Sequence, residues 1–374
     1  MNTGPNINSI SGSGTLRAHV TPFSAWAMAI GTSIGWGSFV VTSNTYLAQA
    51  GPWGSILGMI AGAVIMLVIS RNYHYMVCAF PDAGGVYTFT KEAFGCDHGF
   101  LTSWFLSLVY ISMMWANATA LPLFARYFIG DIFRFGRMYS LFGYDVYLGE
   151  ALLSIAAILL IALLCAKGRK ASMTIMTGLA VLFTLGIAVC FIAAIFGRDG
   201  ASHTFQPGFI PDKTVLSQIV KIACISPWAF IGFENISHMS EEYSFHRDKL
   251  FRILTITVIS TALLYIFVLL LSTTSYPSQY ASWLEYIRDL DNLSGIEGLP
   301  AFYAAHYYLG DFGVVFLVLS LLALIVTSLI GNITALSRLL YSLAKDSVLP
   351  RTFAALNRQS VPGRAILLIA LISI

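Results

Sequence analysis

Gly31-Thr32-Ser33-Ile34-Gly35-Trp36-Gly37 and Ser226-Pro227-Trp228-Ala229-Phe230-Ile231-Gly232-Phe233-Glu234 decide how this chain is read. Each stretch interrupts a long apolar run with glycine or proline. The two runs are the first and the sixth of the chain, one block of five apart. In a bilayer, a broken helix leaves N–H and C=O groups that lipid cannot pair, so they must face protein, a cavity or a ligand. Interrupted hydrophobic segments in corresponding positions of two halves point to a binding site between structural repeats.

Composition sets the medium. The 374 residues are 57% hydrophobic and 10% charged, with mean hydropathy +0.76. A soluble domain carries about 25% charged residues, so a water-soluble globule is excluded and a lipid bilayer is the expected surrounding. Apolar runs of bilayer-spanning length, roughly 20 residues or more, are predicted over 23–48, 52–78, 99–129, 147–166, 172–197, 215–240, 251–275 and 312–344. A ninth begins near Ala365 and is still apolar at Ile374, so the sequence reads as cut inside its ninth segment. Met1 to about Thr21 is polar and lacks a signal-peptide pattern. It is predicted to be a disordered tail (1–21) ahead of one transmembrane domain (22–374). Repeat one would occupy about 22–198 and an incomplete repeat two about 213–374.

Positive charge orients the segments. Of the 21 Lys and Arg, Arg126, Arg134, Arg137, Arg198, Lys213, Lys221 and Arg288 fall on one side, and the remaining 14 fall on the side of the N-terminus. The excess predicts a cytoplasmic N-terminus for a multi-pass protein of the plasma or inner membrane. Cys78, Cys96, Cys165, Cys190 and Cys224 form no C-x-x-C pair and are read as small core residues. Gly54, Gly58 and Gly62 give the second segment a face open to close helix approach. The acidic, aromatic connection 276–311 is predicted to hold a short helix near Leu299–Leu309, an outer lid.

At the first break, the N–H groups of Gly35, Trp36 and Gly37 would open a second half-helix, whose positive end suits a carboxylate. At the second, Pro227 and Gly232 would release carbonyls near Ser226–Phe230 to receive an ammonium. A ligand with both groups is an amino acid. Glu234 is the one acid well inside a predicted span. It reads as a proton carrier, a gate or a substrate contact, or else as a carboxyl that ties helices together. Trp228 and Ile231, three apart, share a face. Trp228 would cover a ligand or pack at an interface. Asn117 is either an interhelical hydrogen bond or a site contact. Glu241 and Glu242 are read as a solvated run, or as a cytoplasmic gate paired with Arg247 or Lys249. His238 and His246 are expected to face solvent or headgroups.

With these residues in hand, the chain resembles the amino acid–polyamine–organocation (APC) transporter family from about Pro22 onward. The motifs are Gly35-Trp36-Gly37-Ser38-Phe39, Phe80-Pro81-Asp82-Ala83-Gly84-Gly85-Val86-Tyr87, Trp228 to Glu234 followed by Glu241-Glu242, and Ser337-Arg338-Leu339-Leu340-Tyr341-Ser342-Leu343-Ala344-Lys345-Asp346 before Leu349-Pro350. The resemblance implies an all-α inverted repeat of five plus five helices, broken at helices one and six. It implies secondary transport of amino acids or related amines by alternating access, with polyamine or organic-amine exchange, a substrate-gated channel or a sensor as the alternatives. By position, Ser33, Gly35, Trp36 and Gly37 would form the carboxylate side, and Trp228, Ala229 and Ile231 the amine and side-chain side. Glu234 would sit at the family's acidic position after the break.

Three departures stand out. Trp36 occupies the place of a small residue, which would shrink the site. Phe183 and Thr184 stand near where some proton-coupled members carry a lysine. The rest of the second repeat is absent. No cofactor is implied, coupling to H+ or Na+ stays open, and nothing points to nucleic acid or fixes an oligomer. An enzyme is disfavoured. Gly31-Thr32-Ser33-Ile34-Gly35 matches G-x-S-x-G literally, but it lacks the strand–turn–helix setting and a nearby histidine. No H-E-x-x-H metal motif occurs.

Overall fold

The computed structural model describes residues 16–141, 143–197 and 205–374, and they are almost entirely helical. Helix α1 (Pro22–Ser33) starts at a capping box. Thr21 Oγ1 accepts the Ser24 N–H at 3.2 Å and Ser24 Oγ accepts the Thr21 N–H at 2.8 Å. Pro22 sits at the first helical position, where its missing N–H costs nothing. α1 stops at Ser33, with extended backbone at Ile34. Helix resumes as α2 (Gly37–Val41), widens through a π-helical stretch (Thr42–Leu47) and runs into α3 (Ala48–Ala79). Gly51, at φ 63°, and Pro52 bend this run sharply, which separates the predicted first and second segments.

Next come α4 (Val86–Phe94), α5 (Cys96–Ile129), an antiparallel hairpin of β1 (Arg137–Leu141) and β2 (Tyr144–Tyr147), α6 (Leu148–Lys167) and α7 (Arg169–Phe196). The sixth run is α8 (Val215–Ile225), a 3-10 turn (Ser226–Phe230) and, beyond Gly232, a second 3-10 stretch (Phe233–Glu242). The chain continues through α9 (Leu250–Thr274), α10 (Trp283–Arg288), α11 (Pro300–Leu309), α12 (Asp311–Lys345) and α13 (Gly363–Ser373). Among the described residues, seven helical stretches are long and apolar enough to cross a membrane. α1 falls short of that length because its run is cut at the break. The short helix expected near Leu299–Leu309 is α11. The hairpin and α4 were not anticipated.

Packing brings the two interrupted runs together. α1 lies against α7, α9 and α12. The α1–α12 crossing interlocks, because a Cβ on Gly331 would collide with the Thr32 methyl and one on Gly31 would come 2.8 Å from Thr327 Cβ. α3 packs along α8. The predicted glycine face is the contact, since a Cβ on Gly58 or Gly62 would strike Ile222 or Ser226. Leu160 and Leu163 on α6, Leu185 and Ile192 on α7, and Ile256, Ile259 and Leu263 on α9 face outward. They form part of the apolar belt a bilayer covers.

Of the predicted disordered tail, residues 1–15 lie outside the described residues. The remainder is docked. Val20 is buried and pairs with Tyr243, and the N–H groups of His19 and Val20 donate to Glu242 O at 2.8 and 3.0 Å. The cysteines are unpaired, and only Cys165 and Cys190 are buried.

Candidate functional site

The breaks in the first and sixth runs touch. Ser33 Oγ donates back to Ala29 O at 2.7 Å. Thr32 Oγ1 lies 2.7 Å from Met28 O and 2.6 Å from Gly232 O, in the other break. A hydroxyl has one hydrogen, so Thr32 serves one of these carbonyls at a time. Gly232 has φ 104°, and a Cβ there would stand 2.6 Å from Thr32 O. Both its left-handed backbone and the closeness of α1 therefore require glycine.

The backbone at the two breaks is not equally open. Among the described residues, the N–H groups of Gly35, Trp36 and Gly37 meet no acceptor. On the other side, Trp228 O accepts the Ile231 N–H at 3.2 Å and Gly232 O accepts the Asn235 N–H at 3.1 Å. The carbonyls that proline and glycine were expected to release are thus partly retied in tight turns.

A cavity of about 110 Å³ lies between the breaks. Of the residues singled out in sequence, Ser33, Gly35, Trp36, Gly37, Asn117, Trp228 and Ile231 line it. Ala229 and Glu234 do not. Ala229 is fully buried in the 3-10 turn. Glu234 is buried against its own helix end, where Oε2 accepts the Gly232 N–H at 2.8 Å. Thr32, Val41, Met113, Ala116, Tyr265 and Ser328 complete the lining and were missed. Met113 and Ala116 share a helix face with Asn117, which was a usable signal. Tyr265 and Ser328 reach the cavity only through the tertiary placement of α9 and α12.

Asn117 bridges helices and also faces the cavity. Its Nδ2 donates to Met113 O at 2.7 Å and to Ser328 Oγ at 3.0 Å. Its Oδ1 is buried without a partner and faces Gly35, 3.4 Å from where a Cβ would stand. Trp36 is tethered to α5. Its Nε1 donates to Ala116 O at 3.0 Å, and its ring meets Phe124 edge-on at 6.0 Å. Trp228 leans over Gly37. Beyond Trp228 lies a more open groove of about 510 Å³, which includes Thr45, Tyr46 and Pro227. Val41, Trp228 and Ile231 border both spaces and so form the partition between them.

Residues 20–374 match the family model described as amino acid permease. The chain belongs to the amino acid permease family. The chain is 25% identical over 359 residues to an arginine/ornithine antiporter of Pseudomonas aeruginosa, covering 91% of this chain and 66% of that one. It is 23% identical over 354 residues to the branched-chain amino acid permease BcaP of Lactococcus lactis subsp. cremoris, covering 93% and 73%. It therefore spans about two thirds to three quarters of those relatives. Among solved structures, a Na+-coupled sialic acid symporter in a substrate-bound outward-open state superposes with TM-score 0.60 at 15% identity, over 95% of this chain and 72% of that one. The nucleobase-cation-symport-1 family transporter MHP1, in a closed conformation, gives TM-score 0.57 at 12% identity, over 97% and 73%. These likenesses establish the helical membrane transporter fold. The chain is a multi-pass membrane protein of a transporter family, not an enzyme.

On the side of its N-terminus, the chain is sealed by polar contacts. Asp82 Oδ1 accepts the Gly84 N–H at 2.7 Å, Thr88 Oγ1 at 2.9 Å and Ser342 Oγ at 2.7 Å. Burial works to raise the Asp82 pKa, but these donors and the Lys345 charge outweigh it and hold the carboxyl below its usual range. Glu241 pairs with Lys345 at 3.4 Å. Glu242, fully buried, pairs with Arg338 at 2.9 Å and His19 at 3.3 Å. The expected partners Arg247 and Lys249 are not used. They lie in a separate turn, whereas Arg338 and Lys345 stand two turns apart on α12, facing the acids. The expectation for His238 is likewise corrected. It is fully buried, its Nδ1–H donates to Ala83 O at 2.9 Å, and its Nε2 lies 3.0 Å from Tyr110 Oη, which donates to it. His246 is exposed as expected, beside Asp248.

Proposed function

We propose that this chain carries the substrate site of a secondary active transporter for amino acids in the plasma or inner membrane, with its N-terminus cytoplasmic. The observation that carries the reading is the meeting of the two breaks around a small cavity. Three successive unpaired N–H groups stand on one side of it and a buried unpaired acceptor, Asn117 Oδ1, on another. Leaving such groups unpaired in a buried place costs about 1–3 kcal/mol each, and the carboxylate of a zwitterion supplies what the N–H groups lack. Its carboxylate would take the N–H groups at Gly35–Gly37, and its ammonium the sixth-run side at Trp228–Ile231. The matched family and its curated relatives support amino acids as the substrate class.

In this reading Trp228 closes the site toward the groove, while the Asp82, Glu241 and Glu242 contacts close it on the cytoplasmic side. Alternation would open one partition and then the other. Glu234 takes the coupling or gating role. By holding the Gly232 N–H, it ties its own protonation to the geometry of the break. The test is uptake of a panel of labelled amino acids and amines into proteoliposomes, with and without imposed H+ or Na+ gradients. Saturable, gradient-dependent accumulation is expected. Non-saturable flux would mean a channel, and binding without flux would mean a sensor. Glu234→Gln keeps an acceptor for Gly232 but cannot ionise. It should leave the fold intact and flatten the pH dependence of uptake, and unaltered uptake at every pH would remove Glu234 from coupling.

A further inference from the structure

We propose that the cavity at the two breaks selects small amino acids with uncharged side chains, with Trp36 setting the size limit and Asn117 the charge limit. This rests on the amino acid reading above and narrows it.

Size comes first. The space between the breaks, about 110 Å³, is well below the roughly 300–1,000 Å³ of ordinary small-molecule sites. That favours glycine, alanine or serine over leucine, phenylalanine or arginine. The partition facing the groove is Trp228, which is 43% exposed and has space to swing. The wall made by Trp36 is fixed, because its indole N–H is bonded to Ala116 O on α5 and its ring edge is packed on Phe124. Movement of Trp228 therefore opens the site without enlarging its far wall.

Charge comes second. Among the described residues, no Asp, Glu, Lys, Arg or His lines the cavity. The acid nearest in sequence, Glu234, is engaged with Gly232 and lies outside the lining. A side-chain ammonium or guanidinium would be buried with no counter-ion, which is strongly disfavoured. Asn117, 4% exposed, has its amide N–H groups engaged and its Oδ1 free toward Gly35. It offers a neutral acceptor where a site for cationic side chains would need a carboxylate.

The test is uptake of labelled alanine, leucine and arginine by proteoliposomes bearing the protein, backed by equilibrium binding in detergent. Alanine should be taken up saturably, with leucine and arginine at least about tenfold weaker, the scale of discrimination a close-fitting pocket provides. Trp36→Ala should raise leucine relative to alanine about tenfold. Trp36→Phe, which keeps the bulk and loses only the N–H, should keep the alanine preference. Asn117→Asp should gain arginine binding that falls again at high salt. Leucine or arginine preferred by the unaltered protein would overturn the selectivity and leave the amino acid reading standing. So would a leucine-to-alanine ratio unmoved by Trp36→Ala. Absence of uptake and binding for all three amino acids would remove both.

Discussion

Gly232 is the residue on which the two breaks depend. Its φ of 104° and its closeness to Thr32 O leave no place for a side chain. Gly232→Ala should cost about 1–3 kcal/mol, the range for strained backbone. It should lower the thermal midpoint in detergent and abolish substrate binding, whereas Ala229→Gly, inside the 3-10 turn and away from the cavity, should spare binding. The sequence made Gly232 visible as a weak point in an apolar run. It could not reveal Thr32 as its partner, because that contact spans 200 positions. Similar reasoning covers Asn117. An amide among methionines and a tryptophan was legible as polar glue or as a site contact, and it does both, since its two ends face different neighbours.

At the scale of elements, the long helices were legible and the short ones were not. Runs of about 20 apolar residues can be read by length alone. α4 has nine residues, too few for such a search, and the β1–β2 hairpin sits in a connection between runs. The glycines spaced by four in α3 were read as a packing face, and α8 fills it. That contact has a functional position, because α8 leads directly into the second break. Gly62→Leu should push α8 away from α3, displace Ser226 and lower stability by about 1–3 kcal/mol through overpacking. Thermal unfolding checks this. The same substitution at Gly178, with nothing within 4 Å of its Cβ position, should be nearly neutral.

For the whole molecule, the polar seal on the N-terminal side joins segments far apart in sequence: the docked residues 16–21, the loop after α3, the end of the sixth run and the end of α12. Only the individual motifs were legible. Glu241-Glu242 was visible as an acidic pair, but its partners on α12 depend on how the two halves pack. Asp82 is the most connected acid in this seal. Its folded pKa lies below the unfolded value near 3.9, so its stabilising contribution is fully present above that value. It is lost as pH falls through the lowered folded pKa. Asp82→Ala should cost about 2 kcal/mol, typical of hydrogen bonds to a charged group, at neutral pH. The difference from the unaltered protein should vanish in strong acid, as measured by thermal midpoints across pH.

The interlock of α1 with α12 has a mechanical consequence. The Thr32 methyl sits in the notch at Gly331, and Thr327 sits against Gly31. One turn along α12 in either direction stand Ser328 and Ala335, each with a Cβ where the notch would have to be. Sliding α1 lengthwise would drive the methyl into one of them, while tilting α1 about the notch keeps both contacts. The crossing thus behaves as a pivot pin, free to hinge and blocked from shear, placed within one residue of the cavity wall.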